Sequence, residues 1–298
     1  MHNVYVLGSI NMDLVINASR RPKAGETVRG ENFFTNSGGK GANQAVASAR
    51  AGANTYFCGY VGNDFFGDNL KKDLEKYGVR TDYTRQAESG SGVAVITVAE
   101  GNNTIVLHAG ANALVDVPFA KRCLENAAEG DVLLLQQEIP IPTVSFALAE
   151  AKRRGMRTLL NPAPAQGSDL SSFAYADLII PNETEAMEIT GEHSCEAAAK
   201  KLAEACGTVV VTMGGEGVLL CTRGGIQKIP CPKVRAVDTT AAGDTLCGSL
   251  AARLCRGEKL QEALRYAVFA ASLAVTRRGA QQSVPAEEEV LRFLHASE

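Results

Sequence analysis

The chain has 298 residues, enough for one large α/β domain or two smaller ones. Hydrophobic residues make up 45%, charged residues 21%, and the net charge is −3, which suits a sizeable core and excludes a general basic field for nucleic acid or an acidic membrane surface. The eight cysteines form no CxxC pair, so neither a zinc site nor a small disulfide framework is expected, and buried reduced thiols of a cytosolic protein are.

The first element is a buried strand over 4–8 that runs into "GSINMD", read as loop. The opening "MHNVYVLGSINMDLV" lacks the basic and apolar regions of a signal peptide. No apolar run approaches the ~20 residues that span a bilayer. Residues 27–35 alternate in β fashion. The glycine-rich "SGGKGANQAVASARAG" (37–52) opens a helix over 42–51. A strand over 55–60 and a helix over 66–77 follow. Residues 92–108 alternate again, with "EGNN" as a hairpin turn signal. Beyond them come strands over 132–136, 158–160, 178–180 and 209–212, with helices over 142–154, 197–206, 242–256 and 260–276.

Short apolar strands alternating with helices predict a Rossmann-like α/β fold. Its sheet is mainly parallel and covered by helices on both faces, with ligands at the carboxyl ends of the strands. The whole chain, 1–298, reads as one domain. The segments 13–36 and 92–108 interrupt the rhythm and are expected to form a small separate sheet, a lid. The alternative is two edge strands of the main sheet.

Several strand ends carry chemistry-bearing stretches. Gly38, Gly39 and Gly41 permit close backbone approach, and the helix start behind them offers free N–H groups to an anion or to sugar oxygens. A tight packing turn explains the same glycines, and no Walker A loop occurs. "NPAPA" (161–165) is a rigid turn. In "PNETEA" (181–186), Asn182 and Glu185 share a face of a first helical turn and would hold a hydrated Mg²⁺, or form a capping box. "TMGGEG" (212–217) is a nucleotide-side loop or a hairpin turn. "DTTAAGDT" (238–245) puts Gly243 and Asp244 at a helix mouth, an anion site with a base beside it or a plain cap.

"GSINMD", "GGKGANQA", "NPAPA", "PNETEA", "VDTTAAGDT" and "AVTRRGAQQSVP" occur in the order seen in the PfkB-type carbohydrate kinase family, which the chain resembles from Val4 to about Pro285. The resemblance implies transfer of the ATP γ-phosphoryl group to the 5-hydroxyl of D-ribose, with a β lid that clasps a homodimer. Carried over motif by motif, Asp244 would be the base, and the amides of Ala242, Gly243 and Asp244 the anion hole. Asn11, Asp13, Gly39, Lys40, Gly41, Asn43 and Glu138 would hold the sugar. Asn182, Thr212, Gly214, Gly215, Gly217 and Gly243 would line the ATP site, with Glu185 near Mg²⁺. A monovalent cation, K⁺, would sit at Asp238, Thr240, Ala274, Arg277, Gly279 and Ser283, largely on backbone carbonyls. Val268 stands where some relatives have a polar residue touching the adenine. Rivals are a family member acting on deoxyribose, a ketose or a nucleoside, and a silent sugar-binding regulator, against which Asp244 speaks.

Overall fold

The computed structural model describes residues 2–165 and 170–297. The apolar run β1 (Asn3–Leu7) leads directly into a second strand, β2 (Asn11–Ala18), where "GSINMD" had been read as loop. Its polar residues hide the alternation, but Met12 and Val15 are buried. After β3 (Gly30–Gly38), the tiny residues of α1 (Lys40–Arg50) form an almost wholly buried helix. Next come β4 (Asn54–Gly62), α2 (Phe65–Lys76) and β5 (Arg80–Ala87), then the hairpin β6 (Gly92–Ala99) and β7 (Asn102–His108). Its turn carries Glu100 and Gly101 at positive φ, as the "EGNN" signal requires.

The second half follows as α3 (Val117–Cys123), β8 (Val132–Leu135), α4 (Ile141–Arg153), β9 (Arg157–Leu160), β10 (Leu178–Ile179), α5 (Glu183–Thr190), α6 (Cys195–Cys206) and β11 (Thr208–Thr212). The chain closes with β12 (Val218–Thr222), β13 (Gly225–Ile229), α7 (Ala242–Cys255), α8 (Leu260–Ala274) and α9 (Glu287–Ala296).

Among the described residues nine strands form the main sheet in the order β13-β12-β11-β10-β9-β8-β1-β4-β5, parallel except for the antiparallel β12 and β13 at one edge. Alternate residues of β1 serve the two faces. Val4 and Val6 pack with residues of α1, α2, α7 and α8, whereas Tyr5 and Leu7 pack with α3, α4 and α6. The remaining strands make a separate sheet, β3-β2-β6-β7. The segments 13–36 and 92–108 thus do share a small sheet, and the edge-strand alternative fails. The strand near residue 27 begins only at Gly30.

Two features position the site. Strand order reverses between β1 and β8, so the chain leaves these neighbours in opposite directions and opens a crevice at their carboxyl ends. Helices α1 and α7 also approach unusually closely, because a Cβ on Gly248 would lie 2.2 Å from the Gln44 carbonyl oxygen. Only glycine fits there, and the closeness delivers the start of α1 to the start of α7.

Candidate active site

At the mouth of α7, Ala241 has φ 58, a left-handed conformation that alanine rarely adopts. It turns the chain so that the helix starts at Ala242, with its first-turn N–H groups facing an open space. A Cβ on Gly243 would meet nothing within 4 Å. The Ala242 N–H leans back to the Thr239 carbonyl at 3.3 Å, so it is a weaker contributor to an anion hole than the motif suggests. Asp244, one residue on, is only 8% exposed. Its Oδ2 accepts from Asn43 Nδ2 and its Oδ1 from Gln44 Nε2, both at 3.0 Å. A purely capping aspartate would instead accept from its own helix's backbone N–H groups.

Two clefts meet at Thr212, Gly214, Ala242 and Gly243. The larger, about 510 Å³, is mostly apolar, with Val218, Val268, Ala271 and Val275 in its wall. The smaller, about 390 Å³, is polar and holds Lys40, Asn161, Asn182, Glu185 and Asp244. Burial pulls the Lys40 ammonium down, but the carboxylates of Asp244, Glu138 and Glu185 outweigh it and hold its pKa above the usual value. The nucleotide-side residues of the sequence reading are therefore gathered: Asn182 bridges to Thr212, and Gly214, Gly215 and Gly217 line the apolar cleft. Asn182 and Glu185 also form the capping box, with Asn182 Oδ1 accepting from the Glu185 N–H and Glu185 Oε2 from the Asn182 N–H, each at 2.8 Å. Burial raises the Glu185 pKa. Its second carboxylate oxygen remains for other partners.

The sugar-side residues cluster at the ends of β1, β2 and β8. Glu138 Oε2 accepts from Ser9 Oγ and from the Lys40 N–H, which ties the glycine loop to the crevice. A Cβ on Gly39 would lie 2.7 Å from Ile10 Cα, and one on Gly41 would lie 2.6 Å from the Ser9 nitrogen. The glycines thus serve both readings, close packing and exposure of the helix start. Asp13 is pushed up from 3.8 to about 7, by burial first and then by the negative charges of Glu138 and Asp244. Three acids with one lysine make a site that wants hydroxyl donors. Asn43 Oδ1 is buried and has no hydrogen-bond partner, an acceptor aimed at something the protein does not supply.

The residues expected to hold a cation lie on two loops stitched together below the mouth of α7. Asp238 Oδ1 accepts from the Thr240 N–H at 2.9 Å and Oγ1 at 2.6 Å, and Oδ2 accepts from the Gly279 N–H at 2.9 Å. The N–H groups of Val237 and Asp238 reach the Val275 carbonyl. Ala274 accepts from the Arg277 N–H, Ser283 Oγ donates to the Ala280 carbonyl, and the Arg277 guanidinium turns away to Glu289. A carboxylate, carbonyls and a hydroxyl are hard oxygen donors, which suits an alkali cation. Among the described residues no cluster of three or more His, Cys, Asp or Glu would hold a metal.

The sequence reading missed the residues that brace these groups. Asn112, on the loop after β7, donates to Asn11 Oδ1 at 2.7 Å and also clasps the backbone of Ile10. Gln44, Gln136 and Asn161 form a buried chain behind Asp244. A polar residue inside an otherwise tiny-residue helix was the one available signal, and it points to Gln44.

Fold and site together define a phosphotransferase with a sugar-sized pocket beside a nucleotide cleft. The model of the pfkB family carbohydrate kinases matches residues 1–287, and the chain belongs to that family of ATP-dependent sugar kinases. It is 41% identical to the ribokinase of Bacillus subtilis, over 99% of this chain and all of that one. It is 35% identical to the deoxyribokinase of Salmonella typhimurium, over 99% of this chain and all of that one. Among solved structures, the ribokinase of Arabidopsis thaliana complexed with ribose and ATP superposes with a TM-score of 0.90 at 32% identity, covering 99% of both chains.

Proposed function

We propose that this kinase is a ribokinase, which moves the γ-phosphoryl group of ATP to the 5-hydroxyl of D-ribose and yields D-ribose 5-phosphate. The observation that carries the reading is the Asp244 carboxylate, held at both oxygens where the polar cleft meets the helix mouth. The adenine end of ATP lies in the apolar cleft, and the phosphates cross Thr212, Gly214 and Asn182 towards Gly243. In-line transfer has little covalent chemistry to arrange, so positioning and charge do most of the work. Asp244 takes the proton of the attacking hydroxyl. The N–H groups of Gly243 and Asp244, at the positive end of α7, stabilise the phosphoryl oxygens as charge shifts between them. Lys40 adds a full positive charge from the opposite wall.

Asn11, Asp13, Asn43 and Glu138, with the backbone from Gly39 to Gly41, satisfy the remaining sugar hydroxyls. Magnesium, held through water near Glu185, would neutralise phosphate charge when bound. A potassium ion on Asp238, Thr240, Ala274, Arg277, Gly279 and Ser283 would set the loop that carries Thr239 and Ala241. The four-stranded sheet is read as a lid and as the clasp of a homodimer. All eight cysteines are free thiols, in keeping with a reducing, cytosolic setting.

Coupled ADP release, measured over a panel of sugars and nucleosides in sodium and in potassium, tests the assignment. D-ribose is expected to give the highest kcat/KM. 2-Deoxyribose, which leaves one buried partner unpaired at about 1–3 kcal/mol, should be poorer by roughly tenfold or more. Potassium should raise the rate severalfold. A preference for 2-deoxyribose would move the protein to the deoxyribokinase branch, and equal rates in the two salts would remove the cation site.

A further inference from the structure

Behind Asp244 runs a chain of buried amides for which the proposed reaction has no stated use. Gln44 Nε2 donates to Asp244 Oδ1 at 3.0 Å and to Asn161 Oδ1 at 3.1 Å. Gln44 Oε1 accepts from Gln136 Nε2 at 2.6 Å, and Asn161 Nδ2 donates to the Ile180 carbonyl at 2.7 Å. Gln44 and Gln136 are wholly buried.

A glutamine amide keeps its shape when turned end for end, so its neighbours decide which end faces the carboxylate. Here Asp244, which can only accept, and Asn161 give the same answer. Asn161 spends its N–H on a backbone carbonyl and can show Gln44 only its oxygen. Gln136 gives an N–H to the other end, while its own Oε1 is buried without a partner among the described residues, so its sense follows that of Gln44. The two N–H bonds of Gln44 Nε2 then match two acceptors, and one of these is the base. Turned the other way, Gln44 would set an oxygen against both Asp244 and Asn161. A carboxylate gripped at Oδ1 by Gln44 and at Oδ2 by Asn43 cannot swing about its terminal torsion, so its free lone pairs keep one direction. An apolar residue would fill the seam between α1 and α7 without the risk of buried unpaired amides. The network therefore has a use beyond packing.

We propose that Gln44 is a positioning residue for phosphoryl transfer, aiming the Asp244 carboxylate, and that Gln136, donating to Gln44 Oε1, holds the Gln44 amide in place. The proposal rests on the reading of Asp244 as the base, and its test is a cycle of variants in which the two ideas fail differently. Gln44→Leu should lower kcat about 10–100-fold while KM for ribose and for ATP stay within about twofold, because orientation of the base matters only as the bond forms. Gln136→Leu, two residues removed from the base, should lower kcat about 3–10-fold with the same unchanged KM values. In an Asp244→Asn background, neither change should cost more than about twofold, because groups that act as a unit are not additive.

Thermal melting identifies any variant that fails to fold. Gln44→Met, nearly the same shape, then replaces Gln44→Leu in the cycle, with the same expected loss of kcat. An equal fractional loss in both backgrounds, a rise in KM at constant kcat, or a wild-type kcat for Gln44→Leu would overturn the positioning role. A wild-type kcat for Asp244→Asn alone would instead overturn the base.

Discussion

At the scale of single residues, Asp13 links the proposed sugar site to stability. Its carboxyl is raised from 3.8 to about 7 by burial and by the neighbouring charges of Glu138 and Asp244. Between those pH values the folded protein holds a proton that the unfolded chain releases, so this group's contribution falls as pH rises through that window. Asp13→Asn removes the effect. The melting temperature of the variant relative to wild type, both without ligand, should therefore be higher at pH 8 than at pH 5, while ribose binding is lost at both. A pH-independent difference would show that Asp13 ionises normally in the folded state. This shift was not legible in the sequence, because it arises first from burial in the folded chain and then from Glu138 and Asp244, which lie far along the chain. What was legible is identity: Asp244 stood out at a helix mouth beside a glycine, and Asn43 and Glu138 followed from the family resemblance. Gln44 and Asn112 did not, since an amide that braces another side chain leaves no periodic trace.

At the scale of elements, strongly patterned segments were readable and edge strands were not. The helix after "DTTA" begins at Ala242 as expected, and the helix over 66–77 begins one residue early, at Phe65, capped by Asp64 accepting from the Gly67 N–H at 2.8 Å. Strands β5 and β13 were missed because their residues are largely exposed and polar, and β12 because its short apolar run just beyond the 212–217 glycine stretch carries no alternation. The turn into α7 carries its own test. A non-glycine residue in the left-handed region costs roughly 1–2 kcal/mol, and Ala241 bears that cost at the helix mouth. Ala241→Gly relieves the strain but adds backbone freedom worth about 0.5–1 kcal/mol, so a rise in Tm of about 1–3 °C is expected. Ala241→Val, β-branched and worse suited to positive φ, should lower Tm and depress kcat more than it raises KM. Identical melting of the valine variant and wild type would mean that the turn is not strained.

At the scale of the whole molecule, the four-stranded sheet stands apart from an otherwise conventional core. Pairing of Leu14 with Val95 and of Val95 with Val106, and of Ile16 with Phe33, puts these side chains on one face. Leu14 packs against the main core, but Phe33 is 65% exposed and Val106 72%, so the rest of the face is apolar and uncovered, which marks an interaction surface. The opposite face of β2 carries Asp13, so whatever covers the outer face also fixes one wall of the proposed sugar site. A second copy of this chain is the expected partner, joined face to face. Replacing Phe33 and Val106 with lysine sets like charges against each other across such a clasp. Sedimentation should then show a dimer for wild type and a monomer for the double variant. The KM for ribose should rise at least about tenfold, because a displaced β2 misplaces its substrate contacts, whereas the KM for ATP, bound on the main domain, should hardly change. If wild type sediments as a monomer, or if both KM values rise together, the sheet is not a clasp and its apolar face serves another end.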